Sequence, residues 1–229
     1  MDIVYDDLLE DEIVRKIQEQ DGDRPEGIHV SDLLYCLDKA YYVRKLGQRE
    51  LPLSTLLLFT QGRAIQDYLT GEKGDEEPIL LDGVWMTVDY ARGLREADVS
   101  LPWEVKMTYM SSGKEPSDGW IKQMMAYCKA LGVLEYGLVR YSLMGDWSWV
   151  YKRKDRAIND EHPVLVCQRF TFTQEEIDEN WAWLQDRKEV LLTALDSDML
   201  PSMLIPDFMS GDSRWQCEKC LYRKECVVC

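Results

Sequence analysis

The clearest alternation of apolar and polar residues in the chain lies at 101–109, Leu-Pro-Trp-Glu-Val-Lys-Met-Thr-Tyr. Trp103 and Val105 share one parity, and Glu104 and Lys106 share the other. Because successive side chains of a strand point to opposite faces, this pattern predicts a strand with one apolar face. The same strand would set a carboxylate and an amine side by side on its other face.

Apolar residues at helical spacing, capping residues and glycines place further elements along the chain. We predict helices over 2–20, 32–46, 53–70, 120–131 and 174–195, and strands over 78–90, 101–109, 135–143, 147–151 and 164–172. Ser31 is interpreted as the N-cap of the second helix. Helices interspersed with strands predict an α/β fold with a mixed central sheet flanked by helices.

Length and composition fit one large domain, or one domain with a small appendage: the chain has 229 residues, of which 45% are hydrophobic. No apolar run is long enough to cross a bilayer, and the first residues lack the pattern of a signal peptide. We therefore expect a cytoplasmic protein with no membrane partner. In a reducing compartment the seven cysteines are more often metal ligands or buried thiols than disulfides.

The charge of the chain limits how it can bind nucleic acid. A net charge of −15 argues against general affinity for phosphate backbones, which requires local positive charge. It still permits a confined basic channel, whose field an acidic surround would focus. The densest basic run is 152–156, so Lys152, Arg153 and Lys154 are candidate nucleic-acid contacts; plain surface charge is the alternative interpretation. The presence of only two histidines argues against a His-rich metal site.

Four cysteines fall within thirteen residues near the C-terminus, as Cys217-x2-Cys220-x5-Cys226-x2-Cys229. Two cysteines separated by two residues have the spacing of a metal chelate. Two assignments are open. The four tail cysteines form a local zinc site, or three of them join the distant Cys36 around an iron–sulfur cluster.

A candidate catalytic group surrounds Glu104 and Lys106. A Glu and a Lys two apart on a strand can hold a metal ion and an attacking water together, and an acid on a preceding strand would complete the site. Asp89 is preferred for that acid, because it ends an apolar strand run; Asp82 competes with it. The alternative is an ordinary solvated ion pair on a half-buried strand.

Taken in order, these motifs resemble a known family. They are Ser31-Asp-Leu-Leu-Tyr-Cys36, Tyr41-Tyr42, Gly62-Arg-Ala-Ile-Gln66, Asp89, Glu104-Val-Lys106, Gln123-x3-Tyr127 and the cysteine tail. The set closely resembles the iron–sulfur exonucleases of the CRISPR-associated Cas four type. These belong to the RecB-like branch of the PD-(D/E)XK nuclease superfamily. The resemblance extends from about Ile28 to Cys226.

The resemblance implies a metal-dependent exonuclease acting on DNA that is single-stranded or has free ends, with proteins of CRISPR adaptation or recombination as possible partners. Mg²⁺ or Mn²⁺ would be held by Asp89, Glu104 and the Val105 carbonyl. Lys106 would orient the attacking water, and Gln123 and Tyr127 would position the strand or support the lysine. A structural [4Fe–4S] cluster would be held by Cys36, Cys217, Cys220 and Cys226.

The same resemblance divides the single domain, 1–229, into two parts. The nuclease core would comprise 51–199. The cluster subdomain would join 28–50 to 200–229 and so bring the N-terminal helix and the C-terminal tail together.

The chain departs from the family pattern at the metal-binding histidine that RecB-like nucleases usually carry, where Gln66 stands. An amide oxygen can ligate a hard cation, but imidazole suits manganese better. Leu37 and Asp38 also replace the Pro and Arg that commonly follow the first cluster cysteine. Gln66 favours one rival, a catalytically weakened DNA-binding or adaptor protein that keeps the nuclease fold. A zinc-tailed interaction module is the other.

Overall fold

The computed structural model describes residues 7–19, 25–70, 78–89, 101–143, 165–203, 214–218 and 220–226. The helices are α1 (Asp7–Glu19), α2 (Val30–Leu34), α3 (Leu37–Leu46), α4 (Leu53–Thr70), α5 (Asp118–Leu131), α6 (Gln174–Ser197) and α7 (Arg214–Glu218), with a 3₁₀ turn at Pro201–Met203. The strands are β1 (Ile28–His29), β2 (Ile79–Leu81), β3 (Val84–Met86), β4 (Trp103–Thr108), β5 (Glu135–Ser142) and β6 (Leu165–Thr171).

The strands form two small mixed sheets. In the first, β3 lies between β1, which is parallel to it, and β2, which is antiparallel; in the second, β5 lies between parallel β4 and antiparallel β6. The α/β class is confirmed, but the single central sheet is not what the described residues form. One reason lies at β4, where the amide of Val105 donates to the side chain of Asp89 rather than to a further strand.

Helices cover these sheets around one apolar core. The core draws buried side chains from α2, α5, α6 and the strands; Leu33, Met124, Leu138 and Leu184 are each at most 1% exposed. Burying such a side chain contributes about 1.5–3 kcal/mol. The core therefore fixes the helices against the strands that carry the candidate catalytic residues. None of the helices in the described ranges is long and apolar enough to span a membrane.

The predicted helix over 32–46 is wrong in two respects. It begins at Val30 with His29, not Ser31, as its N-cap, and it is two helices with a break at Tyr35 and Cys36. Cys36 is the N-cap of α3 and has extended backbone angles. Arg187, from α6, donates hydrogen bonds to the carbonyls of Leu33 and Tyr35. It thereby satisfies carbonyls at the end of α2 that a continuous helix would have bonded internally.

The predicted strand over 78–90 is also wrong, because it contains a hairpin. β2 and β3 are joined by Asp82 and Gly83, whose φ angles are 46° and 74°. Two consecutive positive φ angles are those of the turn that matches the twist of paired strands, and an Asp-Gly pair favours this turn. The prediction of one strand relied on the apolar residues and overlooked the Asp82-Gly83 pair, which is a turn signal.

Other predicted elements are confirmed with small changes of boundary. The helix over 53–70 is α4. Gly132 ends α5 with φ of 68°, in the left-handed region. The helix over 174–195 is α6, and Thr173 and Glu176 form a capping box at its start. The predicted strand over 147–151 lies outside the described residues.

The C-terminal tail packs on α3 and the residues that follow it. The ring of Tyr222 stacks on that of Tyr42 with centroids 5.8 Å apart. Arg49 donates to the Leu221 carbonyl at 2.6 Å and pairs with Glu225 at 2.6 Å. These contacts bring together the two segments that the sequence assigned to one subdomain.

Candidate active site

Asp89 lies just after β3 and is held from two sides. Its Oδ2 accepts the Val105 amide at 2.8 Å, and its Oδ1 accepts the amino group of Gln66 at 3.0 Å. Burial raises the pKa of Asp89, while the charge on Lys106 and these two hydrogen bonds lower it. The carboxylate is therefore fixed against both β4 and α4.

Glu104 is almost completely enclosed, with its side chain 3% exposed. Its Oε1 accepts from Lys106 Nζ and, at 3.1 Å, from Gln123 Nε2. Burial and then repulsion from Asp89 raise the pKa of Glu104 to about 7, although Lys106 opposes them. The solvated ion pair that sequence alone allowed is thus wrong, because Glu104 is enclosed and bonds to Gln123 of α5 as well as to Lys106.

Lys106 stays protonated beside the two acids. Burial lowers its pKa, but the charges of Glu104 and Asp89 outweigh burial and the net shift is upward. Its side chain retains 22% exposure. A buried ammonium with an open side can keep its charge and still face a ligand.

Gln123 and Tyr127 share one face of α5, as their spacing predicted. Gln123 Nε2 lies 2.7 Å from the Tyr127 hydroxyl oxygen as well as 3.1 Å from Glu104. The amide thus connects the helix to the acid. Since a carboxylate can only accept, the hydrogen-bonding pattern also fixes which end of the Gln123 amide faces Glu104.

Two tyrosines that the sequence did not single out belong to this surrounding. Tyr136 is fully buried, and its hydroxyl has no hydrogen-bond partner within the described ranges. Burial and then the charge of Glu104 raise its pKa well above the ordinary value. Burial raises the pKa of Tyr35, and the charge of the nearby Lys106 lowers it.

The structure places the two candidate acids in different surroundings. Asp82 lies in the β2–β3 turn, and its Oδ2 accepts from Trp181 Nε1 at 2.9 Å. Its backbone carbonyl accepts from Lys188. Asp82 is therefore engaged with α6, and it is Asp89 that the structure brings to β4.

A divalent cation fits the acids that the structure brings together. Glu104 Oε2 is buried and has no hydrogen-bond partner in the described part of the chain. A buried acceptor and two mutually repelling carboxylates are the conditions that a cation relieves. Asp89 and Glu104 are a pair, however, since no group of three His, Cys, Asp or Glu suited to a metal occurs among the described residues.

The remaining predicted metal ligands are Val105 and Gln66. The Val105 amide donates to Asp89, which places its backbone beside the carboxylate; ligation by its carbonyl stays a prediction. Gln66 uses the amino end of its amide towards Asp89. In this arrangement Gln66 orients an acid, and ligation through its amide oxygen stays a prediction too.

The structure brings only some of the predicted cysteine ligands near one another. The Cys36 amide donates to Gln216 Oε1 at 3.0 Å, and Cys226 Sγ lies 3.9 Å from Asp38 Oδ2. Cys36, Cys220 and Cys226 are free thiols, and Cys217 is disulfide-bonded. Burial raises the pKa of the Cys36 thiol, and the neighbouring charges of Asp38 and Cys226 raise it further. The thiol is thus neutral unless a cation binds it.

Two sets of predicted residues lie outside the described ranges. These are the basic run Lys152, Arg153 and Lys154, and the last cysteine, Cys229.

No known protein family and no curated protein sequence matches the chain. The structure resembles the crystal structure of SSO0001 with a TM-score of 0.56, at 15% sequence identity over 96% of each chain. It also overlaps the alkaline exonuclease LHK-Exo from Laribacter hongkongensis with a TM-score of 0.45, at 19% identity over 75% of this chain and 90% of that one. For LHK-Exo in complex with dAMP the TM-score is 0.42, at 16% identity. The likeness to SSO0001 extends over nearly the whole of both chains and shows a shared fold.

Proposed function

We propose that the chain is a metal-dependent nuclease that hydrolyses phosphodiester bonds of DNA. The observation that carries the proposal is the buried group of Asp89, Glu104 and Lys106, in which one oxygen of Glu104 has no hydrogen-bond partner among the described residues. If Glu104 served only in a structural ion pair, both of its carboxylate oxygens would be expected to accept hydrogen bonds. A group that binds a cation instead leaves an acceptor unpaired beside a second acid.

Each residue has a separate role in this proposal. Asp89 and Glu104 hold Mg²⁺ or Mn²⁺, which when bound supplies Lewis-acid chemistry by polarising a phosphoryl oxygen and making water more acidic. Lys106 orients the attacking water and offsets negative charge that develops on the phosphate.

Two amides hold the acids in place. Gln66 fixes Asp89 from α4, and Gln123 fixes Glu104 from α5. Tyr127 accepts the second hydrogen bond of Gln123 and so limits the orientations of that amide. The acids are therefore oriented before substrate arrives, which lowers the reorganisation that the reaction requires.

The substrate class in the proposal is DNA that is single-stranded or has free ends, acted on as an exonuclease. Proteins of CRISPR adaptation or recombination are the partners that the sequence resemblance suggests. Linear and circularised forms of one oligonucleotide distinguish end-dependent from internal cleavage.

The test is cleavage of labelled single- and double-stranded DNA with Mg²⁺ or Mn²⁺. Glu104→Gln and Lys106→Met should each lower the rate by roughly 100-fold or more, the loss typical of removing one electrostatic contact to a transition state. Matched controls are Glu135→Gln, on the adjacent strand and 47% exposed, and Lys114→Met, in an exposed loop. Wild-type rates in a folded Lys106→Met protein would overturn the proposed function.

A catalytically weakened DNA-binding or adaptor protein is the second candidate, and the observation that favours it is Gln66. A neutral amide next to Asp89 provides no imidazole for the cation. In the same assay this candidate predicts DNA binding without cleavage under either metal. A zinc-tailed interaction module would neither bind nor cleave DNA.

The proposal includes a structural [4Fe–4S] cluster on Cys36, Cys217, Cys220 and Cys226, and a zinc site on the four tail cysteines is its rival. What supports the cluster is that Cys36, remote in sequence, lies against the tail through the Gln216 contact. Because Cys217 is disulfide-bonded in the structure, loading either site requires that this bond be reduced first.

A further inference from the structure

Helix α4 carries an exposed aromatic ring on the side that it turns towards the candidate active site. Gln66, on this helix, reaches Asp89 at 3.0 Å. Phe59 precedes Gln66 by seven residues, which is close to two full turns, so both side chains leave the helix in nearly the same direction. Phe59 is nevertheless 53% exposed. The helix thus presents an aromatic face on its site-facing side that the described strands do not cover.

A cavity of about 90 Å³ opens beside this ring, between α1 and α4. Its apolar wall is formed by Ile17, Leu56 and Phe59, and Arg63 lines it one turn from Phe59. Because the Phe59 ring is 53% exposed beside this cavity, a base has room to lie over the ring. Asp67 also lines the cavity, which disfavours a bare phosphate and favours recognition of an uncharged planar group.

We propose that Phe59 is a stacking platform for a base of the DNA strand that enters the active site. The inference rests on the proposed nuclease function. Along α4, Phe59 lies about 10 Å from Gln66, and successive nucleotides of a stacked strand are about 3.4 Å apart. The stacked base is therefore roughly three nucleotides from the phosphate at Asp89 and Glu104. Arg63 contributes positive charge at the edge of this base in a strongly acidic protein.

The ligand is single-stranded, because in a duplex the faces of each base are already stacked on its neighbours. Stacking on an aromatic ring contributes about 1–3 kcal/mol per base and tolerates any sequence. The subsite therefore selects for unpaired ends and not for a sequence motif.

The same helix supplies a matched control. Tyr68 is more exposed than Phe59, at 84%, but follows it by nine residues. Nine residues are two and a half turns, so Tyr68 points to the opposite side of α4, away from Asp89. Removing it changes exposed aromatic area without touching the proposed subsite.

The experiment measures equilibrium binding of the full-length protein to a 5′-labelled 12-nucleotide single strand and to its duplex, with EDTA present. Phe59→Ala should weaken single-strand binding about tenfold, within the range for one stacked base, and change duplex binding less than twofold. Phe59→Trp should keep wild-type affinity, and Tyr68→Ala should have no effect. Equal losses in Phe59→Ala and Tyr68→Ala, or an unchanged single-strand affinity in a folded Phe59→Ala protein, would overturn the subsite.

A second measurement locates the base and does not depend on Phe59→Ala folding. 2-Aminopurine is placed at successive positions of the strand and bound to wild-type protein and to Phe59→Leu. One position, about three nucleotides from the cleavage point, should be quenched by wild type and bright with the variant. Uniform fluorescence along the strand contradicts the subsite.

Cleavage rates separate this inference from the proposed function. A wild-type protein that cleaves DNA but binds it independently of Phe59 overturns the subsite alone. A wild-type protein that binds a single strand through Phe59 but cleaves nothing overturns the nuclease and leaves the subsite. No single-strand binding overturns the subsite whatever the cleavage assay gives.

Discussion

The amino group of Gln66 donates a hydrogen bond to Asp89 over 3.0 Å. This contact joins α4 to the residue that follows the β2–β3 hairpin. Because the amide is neutral, it orients the carboxylate without adding a charge or an imidazole ligand. In the proposed metal site, the affinity for a cation should therefore be sensitive to this one position.

Gln66→His should tighten manganese binding about tenfold, in the range of changes reported for groups that orient metal ligands, and should raise Mn²⁺-dependent cleavage. Calorimetric titration with Mn²⁺ and a cleavage assay measure the two effects. Gln61→His, on the exposed side of the same helix, adds a histidine away from Asp89 and should change neither. No change in Gln66→His would show that this position does not face the cation.

The raised pKa of Glu104 predicts a pH dependence of stability in metal-free buffer. The carboxyl has a pKa of about 7 when folded and an ordinary value of 4.5, so the folded state binds the proton more tightly. The free energy of unfolding contributed by this group is therefore lost as pH rises between these two values. Glu104→Gln removes that loss. The free energy of unfolding of Glu104→Gln, relative to that of wild type, should therefore increase by about 2–3 kcal/mol between pH 4.5 and 8.

Urea unfolding of both proteins across this pH range, with EDTA present, provides the comparison. Glu135→Gln, at a partly exposed position on β5, should follow wild type. A flat difference between Glu104→Gln and wild type would mean that Glu104 is ionised throughout. Addition of Mn²⁺ at pH 8 should restore the stability that wild type loses as pH rises, because a cation binds the ionised carboxylates.

Arg187 should be important for stability because it bonds two carbonyls at the α2–α3 break. Burial lowers its pKa to about 10, so it remains charged at neutral pH. Arg187→Met would leave both carbonyls without this donor and should cost about 2–4 kcal/mol. Arg187→Lys keeps the charge but has a single nitrogen in place of the guanidinium group, which donates to both carbonyls. It should therefore recover only part of the lost stability. Arg169→Met, at a 53% exposed position, should unfold like wild type.

The cluster model and the zinc model make opposite predictions for two cysteine variants. With a [4Fe–4S] cluster on Cys36 and three tail cysteines, Cys36→Ser should lose iron, the brown colour and stability, and Cys229→Ser should lose none. With a zinc site in the tail, the protein should be colourless and contain zinc, which Cys229→Ser should lose and Cys36→Ser should keep. Metal analysis and visible spectra of anaerobically purified protein decide between them. Cys167→Ser, at an exposed cysteine of β6, is the control that both models expect to be silent.

The order of the elements and the candidate acids could be predicted from the sequence because they depend on local patterns. The period of two around Glu104 and the i,i+4 spacing of Gln123 and Tyr127 place these residues without knowledge of the fold. The burial of Glu104 could not be predicted, since it depends on tertiary contacts such as the one with Gln123 of α5. A strand pattern shows which face is apolar, but it does not show what lies on the other face.

The break between α2 and α3 was missed for a different reason. Its partner, Arg187, lies 154 residues from Leu33 and 152 from Tyr35. From Asp32 to Leu46 the local sequence favours a helix throughout. A distant cation that binds two carbonyls overrides this local preference, and nothing near Tyr35 in sequence indicates it.

The packing of Tyr222 on Tyr42 has a consequence for how the protein is made. Synthesis is vectorial, and domains fold from the N-terminus while the ribosome adds the rest. Cys36 and Arg49 acquire their partners at Gln216 and Glu225 only after another 180 and 176 residues. Until then the ring of Tyr42 lacks the ring of Tyr222 on which it stacks. Docking of this segment therefore waits for residues that are made late, and contacts of such long sequence separation are the kind that slows folding.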